Sequence, residues 1–216
     1  MRDSVPQCSR SDKMEVEFRD TVPEDYAEIA RILDDQWLFS LYSKTNGPVA
    51  SEYYLLQCMN DANVAETIFV DGKQVGAVAV GRMGGKSLDV HEDLERLEAQ
   101  LKRSDGYDAM MRDMKLFDDV FEGFVSKYMD DGLAELTLLI IDKGCRGMGI
   151  GRKAIEEALR IVSDHGKKGL FFYTDTDCNF GFYDRMGAKR LDHVKTECLS
   201  GPIDIFAYRL DVGSPN

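Results

Sequence analysis

The stretch of this sequence best suited to chemistry is a run of glycines between a β-rich segment and a helix-forming one. Residues 144–151 read GCRGMGIG, preceded by ELTLLIID and followed by RKAIEEALRIVSDHG. A strand that ends in such a turn and opens a helix presents unpaired backbone N–H groups at the positive end of the helix dipole, a site for phosphate. Gly147, Gly149 and Gly151 supply the turn, and Arg146, Arg152 and Lys153 add positive charge to it. Three ligands compete: a nucleoside triphosphate, a dinucleotide and the pyrophosphate of coenzyme A. The first needs G-x-x-x-x-G-K-[ST], but Lys153 is followed by Ala154. The second has an acid, Asp175, at the end of the next strand, as a ribose would require. Its glycine spacing is wrong, however, because the third glycine falls on Arg152, and the chain offers one strand–helix–strand unit where that fold uses two halves. Other reactive side chains are scattered. Five cysteines (Cys8, Cys58, Cys145, Cys178, Cys198) form no C-x-x-C pair and have no histidine at ligand spacing, so neither a disulfide framework nor a metal site is signalled. His165 sits at a helix end beside Gly166, and His91 and His193 have no partner in sequence.

The elements that must hold this loop are legible from periodicity. Residues 1–13 are polar and aperiodic and read as a mobile tail. Val16 and Phe18 alternate with Glu15, Glu17 and Arg19 as a half-buried strand. Thr21-Val22-Pro23-Glu24 reads as a capping box opening a helix through Tyr26, Ile29, Ala30 and Leu33. After the Asn46-Gly47-Pro48 break, residues 49–59 carry a second apolar helical face. Residues 66–70 and 74–80 are strands of a hairpin turning at Asp71-Gly72-Lys73. Residues 83–132 read as an inserted helical hairpin, one helix with Leu94, Leu97 and Leu101, the other with Met110, Met114, Phe117, Phe121, Phe124 and Tyr128. The glycine loop then lies between two parallel strands, 135–142 and 169–177, in a right-handed unit. A short helix over 179–186 and two strands, 188–198 and 203–212, complete a single domain over 14–212.

On these residues the chain resembles the GNAT superfamily of N-acetyltransferases. Arg146-Gly147-Met148-Gly149-Ile150-Gly151 is similar to that family's R/Q-x-x-G-x-G/A pyrophosphate loop, and Asn179 through Ala188 to its N-x-x-x-x-Y-x-x-x-G-F/A segment. The element order over residues 14–82 and 133–212 agrees, and the 83–132 insertion departs from the minimal pattern. The resemblance implies an α/β fold of the acyl-CoA N-acyltransferase type, with a central mixed, mostly antiparallel sheet flanked by helices. It implies acetyl-CoA as co-substrate, no metal, and a primary amine as acceptor. The pyrophosphate would lie on Arg146 to Gly151 and near Arg152, with pantetheine along Leu139 to Ile141, whose N–H groups would polarise the thioester carbonyl. Tyr183 matches the tyrosine facing the coenzyme A sulfur, where a phenol of ordinary pKa about 10 can protonate a leaving thiolate. Glu135 matches a position where some members hold a base; read from type alone it is equally a solvated strand-edge carboxylate, with Asp142 and Asp177 as weaker alternatives. Asn179 would cap its helix and bond the pantetheine amide.

Composition sets the outer limits. In 216 residues, 39 Asp and Glu oppose 27 Lys and Arg, a formal charge of −12. Such a polyanion disfavours nucleic acid and anionic membranes as partners. No apolar run approaches the roughly 20 residues of a membrane span, and the start has no apolar signal core, so a cytoplasmic location is expected. Residues 88–131 hold 13 acids and 6 bases. That insertion is read in two ways: as a packing element, against the sheet or in a homodimer, or as a lid whose acids select a cationic amine such as a polyamine, an aminosugar or a lysine side chain. An acyl-CoA-binding module without turnover and a dinucleotide oxidoreductase stand as alternative functions.

Overall fold

The computed structural model describes residues 14–42 and 46–213; the tail expected over 1–13 lies outside the described residues. Seven strands make one sheet: β1 (Val16–Asp20), β2 (Ala62–Val70), β3 (Lys73–Gly81), β4 (Leu133–Ile141), β5 (Gly169–Asp175), β6 (Lys189–Cys198) and β7 (Gly201–Asp211), in the order β1-β2-β3-β4-β5-β7-β6. Only β4 and β5 run parallel, so the sheet is mixed and mostly antiparallel. The two motif-bearing segments therefore flank its one parallel junction.

Helices cover both faces. α1 (Tyr26–Trp37), α2 (Gly47–Asn60) and α3 (His91–Leu101) pack with Ala77, Ala79, Leu138 and Ile140. α4 (Tyr107–Tyr128) continues that layer, setting Phe121 and Phe124 on Leu133, Phe171, Ile205 and Ala207. α5 (Ile150–Asp164) covers the opposite face, where Ile155, Ala158 and Val162 meet Val78, Val80, Leu136 and Phe172. The alternation of Ala77 and Ala79 with Val78 and Val80 sends small side chains to one layer and larger ones to the other, as a strand buried on both faces requires. α3 and α4 occupy the segment read above as an insertion, and their apolar stripes pack on α2 and on the sheet of the same chain.

Two local expectations are corrected. Thr21 does not cap the first helix; its hydroxyl instead accepts from Thr67 Oγ1 at 3.0 Å. The reciprocal half of the box falls to Asp25, which accepts from the Val22 N–H at 3.1 Å and from Arg19, because a 3₁₀ turn over Pro23–Asp25 precedes α1. Asn179 makes no side-chain cap on α6 (Phe180–Arg185). The Asp175 carboxylate takes the loop N–H groups instead, from Asp177 at 2.9 Å and Cys178 at 3.1 Å.

Candidate active site

β4 and β5 begin as partners and then part. They pair at Leu133, Ala134 and Glu135, opposite Gly169, Leu170 and Phe171, and no further. β4 stays on β3 as far as Ile141, and β5 stays on β7 as far as Asp175. A wedge thus opens between the two strands, with Leu136 to Ile141 on one side and Phe172 to Asp175 on the other. Part of the cause is a bulge: Ala79 faces Leu138 and Val80 faces Leu136, leaving Thr137 unmatched. One extra residue bends the strand, and the faces swap across it. Leu136 points to the α5 layer whereas Leu138 points to α1 and α2. The Thr137 hydroxyl is buried without a protein partner.

The glycine loop closes the wide end of the wedge. Gly147 and Gly149 have φ of +78° and +80°, and a Cβ on either would meet nothing within 4 Å, so the loop needs glycine for its backbone and leaves open space above it. Gly151 serves a close approach: a Cβ there would lie 3.3 Å from the Phe182 ring, where α5 nears α6, so the ring would have to give by a few tenths of an ångström. Ile150 buries as the first residue of α5, while Met148 is half-buried and Arg146, Arg152 and Lys153 are exposed. Gln36, which no sequence motif marked, ties α1 to this end: its amide donates to the Ile141 carbonyl at 2.8 Å and accepts from Arg146 Nη2 at 3.1 Å. Leu139 and Ile141 face α5, half-buried.

Tyr183 borders the wedge from the α5 face. Its ring lies 4.7 Å from Phe172, 5.1 Å from Phe182 and 5.9 Å from Tyr208. Burial, reinforced by Cys178 and Asp175, raises its phenol well above the ordinary range, so it holds its proton at neutral pH. The Cys178 thiol is pushed up to about 12 by burial and Asp175, which leaves it protonated and a poor nucleophile.

Glu135 stands at the apex, on the opposite face. It is 7% exposed, which excludes a solvated strand-edge carboxylate. Arg82 Nε donates to its Oε2 at 2.6 Å. Burial outweighs that partner, and Asp61 and Glu122 add repulsion, so the Glu135 carboxyl is raised to about 7. Asp61 and Asp118 are raised as well, by burial first. Around them stand Tyr54, Phe121 and Tyr173, with the Phe121 and Tyr173 rings 5.0 Å apart. Asp142, by contrast, is committed to Arg31 at 3.2 Å and the Gly144 N–H at 2.7 Å, and Asp177 is exposed. The structure therefore brings Glu135 and Tyr183 to one wedge from two faces, and separates Asp142 and Asp177 from its apex. Arg82, Asp61 and Asp118 escaped the sequence reading because they gather only in three dimensions, from β3, the α2–β2 corner and the insertion.

The profile of the Acetyltransferase (GNAT) family matches residues 27–188, three-quarters of the chain. The protein belongs to the GNAT acetyltransferase family. Solved structures agree in fold: the C-terminal condensation domain of Ebony in complex with beta-alanyl-dopamine (TM-score 0.65, 9% identity, 93% of this chain and 100% of that one), Ard1 from Thermoplasma volcanium (0.56, 13%, 91% and 97%) and the ribosomal-protein-S18-alanine N-acetyltransferase from Escherichia coli (0.54, 10%, 94% and 97%). At these identities the likeness concerns the fold. No curated protein matches the sequence. In this GNAT member α3 and α4 lie between β3 and β4. Among the described residues no helix is long and apolar enough to cross a membrane.

Proposed function

We propose that this GNAT protein moves the acetyl group of acetyl-CoA to a cationic primary amine by direct attack on the thioester. The observation that carries the reading is the convergence at one wedge of three features: an open glycine loop at its mouth, strand edges that part along it, and a buried carboxyl at its apex. The residues fit the co-substrate. Open space over Gly147 and Gly149, the first N–H groups of α5 and the charges of Arg152 and Lys153 suit a pyrophosphate. The edge of β4 that β5 leaves unpaired, from Leu139 to Ile141, suits the amides of pantetheine, which would add to the sheet as a short strand beside the Ile141 carbonyl that Gln36 holds, and Asn179, which precedes α6, is exposed.

Acetyl-CoA supplies an activated carbonyl; the chain supplies position and protons. The amine gives its ammonium proton to solvent and then attacks the carbonyl carbon from the α2–α4 face. As the C–N bond forms and the C–S bond breaks, the extra proton on nitrogen passes to the Glu135 carboxylate. The thiolate leaves on the α5 face and takes the proton of the Tyr183 hydroxyl, and the two residues reset through solvent. Backbone N–H groups near Ile141 would stabilise charge on the carbonyl oxygen. Asp61, Asp118 and Glu122, beside Tyr54 and Tyr173, favour a cation with apolar substance, through charge and through the faces of the rings.

A thermal-shift titration with acetyl-CoA, coenzyme A and NAD tests the reading. Both coenzyme A species are expected to stabilise the protein, by about 2.7 kcal/mol at a hundredfold excess over Kd, and NAD not at all. Stabilisation by NAD alone would overturn it in favour of a dinucleotide site.

A further inference from the structure

Arg82 connects the buried carboxyl at the apex to the inserted helix. Its Nε reaches Glu135 at 2.6 Å, its Nη2 reaches Glu122 of α4 at 2.8 Å, and its guanidinium carbon lies 5.8 Å from the centroid of the Phe121 ring, also on α4. Phe121 in turn stacks 5.8 Å from Phe171, the β5 residue in register with Glu135. The backbone at Arg82 is left-handed, with φ of +54°, a conformation that side chains other than glycine, asparagine and aspartate rarely take. It is clamped on both sides: Gly81 sits in register with Glu135 and Ala62, and the Met83 N–H donates to Asn63 Oδ1 at 2.9 Å. Such a conformation persists where surrounding contacts over-determine it, and here they aim one guanidinium at one carboxylate.

We propose that Arg82 is a positioning residue for Glu135, and that the insertion acts on the reaction through it, Glu122 and Phe121 of α4 holding the guanidinium against the carboxylate that accepts the amine proton. The assignment of Glu135 as base rests on the function proposed above. The position of Arg82 does not, because it is a matter of contacts within this chain. The charged and titratable groups facing Glu135 are Arg82 after β3, Glu122 on α4, Asp61 at the end of α2 and Cys58 on α2, with Asp118 of α4 standing beside Asp61 and Glu122. Arg82 is the one cation among them, so its removal leaves the carboxyl among acids in a buried place. An opposite charge at this range lowers a carboxyl by about 1–3 pH units, so losing it must raise the Glu135 midpoint.

The test is the titration midpoint of the Glu135 carboxyl, followed by NMR of side-chain-labelled protein without substrate and assigned by its disappearance in Glu135→Gln. Arg82→Asn keeps a residue tolerant of the left-handed backbone and is expected to raise the midpoint by about one unit or more. Arg82→Lys should recover part of that shift. Glu122→Gln distinguishes a holder from a mere neighbouring charge. In the Arg82→Asn background it removes only a like charge and lowers the midpoint. With Arg82 present it also frees the guanidinium, so the fall should vanish or reverse. An equal fall in both backgrounds would overturn the proposal, since non-additivity is the mark of an interacting pair. So would an unmoved midpoint in Arg82→Asn; should that variant fail to fold, Arg82→Lys and Glu122→Gln carry the same comparison. The acidic limb of kcat/KM for acetyl transfer is the second readout. Midpoint and limb moving together uphold both assignments, and a midpoint that moves while the limb stays refutes Glu135 as base and leaves Arg82 in its place.

Discussion

At the scale of single residues, the proposed reaction depends on a carboxyl and a phenol whose surroundings push both upward. Glu135, raised to about 7 chiefly by burial, must lose its proton to work. With the concentration of neutral amine held constant, the rate is therefore expected to rise tenfold per pH unit below about 7 and level off above it, and Glu135→Gln should abolish that limb and lower kcat by about 10²–10⁴-fold while leaving acetyl-CoA affinity intact. The sign for stability is opposite. A carboxyl whose folded midpoint exceeds its unfolded one favours folding at low pH, and that contribution is lost as pH rises toward about 7. Glu135→Gln, which imitates the neutral form, should thus melt no lower than the parent at pH 8. Tyr183 is packed among Phe172, Phe182 and Tyr208, so Tyr183→Phe keeps the packing and removes only the proton. A fall in kcat of about 10²-fold with unchanged affinity is expected, measured by steady-state kinetics. In the sequence, Glu135 and Tyr183 stand out through the family likeness alone. Burial, which separates a poised base from a solvated one, is invisible in a string of letters, as is the guanidinium that comes to Glu135 from another strand.

At the scale of elements, the wedge is a matter of backbone. Periodicity located β4, β5 and α5, and the glycines located the loop, because both signals are local. The bulge at Thr137 carries no mark of its own in LTLLII, for a bulge is defined by the partner strand. The Asp25 cap and the Gln36 bridge share that property, each depending on a turn or a helix that aims the side chain. Gly149 is the sharpest test at this scale. At φ +80° aspartate is among the side chains that tolerate the backbone, so Gly149→Asp acts chiefly by adding a negative charge where phosphate would sit. Cofactor affinity, read by calorimetry, should be lost, and unchanged affinity would remove the loop from the site. In the insertion, Phe124 is fully buried against β5 and β7, so Phe124→Ala should cost about 3–5 kcal/mol in denaturant unfolding. A value near zero would show α4 to be a detachable lid rather than part of the core.

At the scale of the whole molecule, charge and topology divide the labour between two faces. The α5 face receives the cationic residues of the loop, while the α2–α4 face gathers Asp61, Asp118, Glu122 and Glu135 around one arginine. An acidic chain of net −12 would repel an anionic co-substrate everywhere but at that loop, and would draw a cationic amine to the other side. KM for a cationic acceptor should rise with ionic strength, whereas kcat stays level, as the Debye length shrinks below about 10 Å. On the proposed function, the separation lets one gap serve two reactants without their crossing, thiol and amine entering from opposite layers and meeting where β4 and β5 part. The most direct measurement is release of free thiol from acetyl-CoA against a panel of polyamines, aminosugars and lysine peptides, run for the parent and for Glu135→Gln. The account predicts amine-dependent release in the parent, at least a hundredfold weaker in Glu135→Gln. Release that depends on no amine, or that is equal in the two proteins, would contradict it.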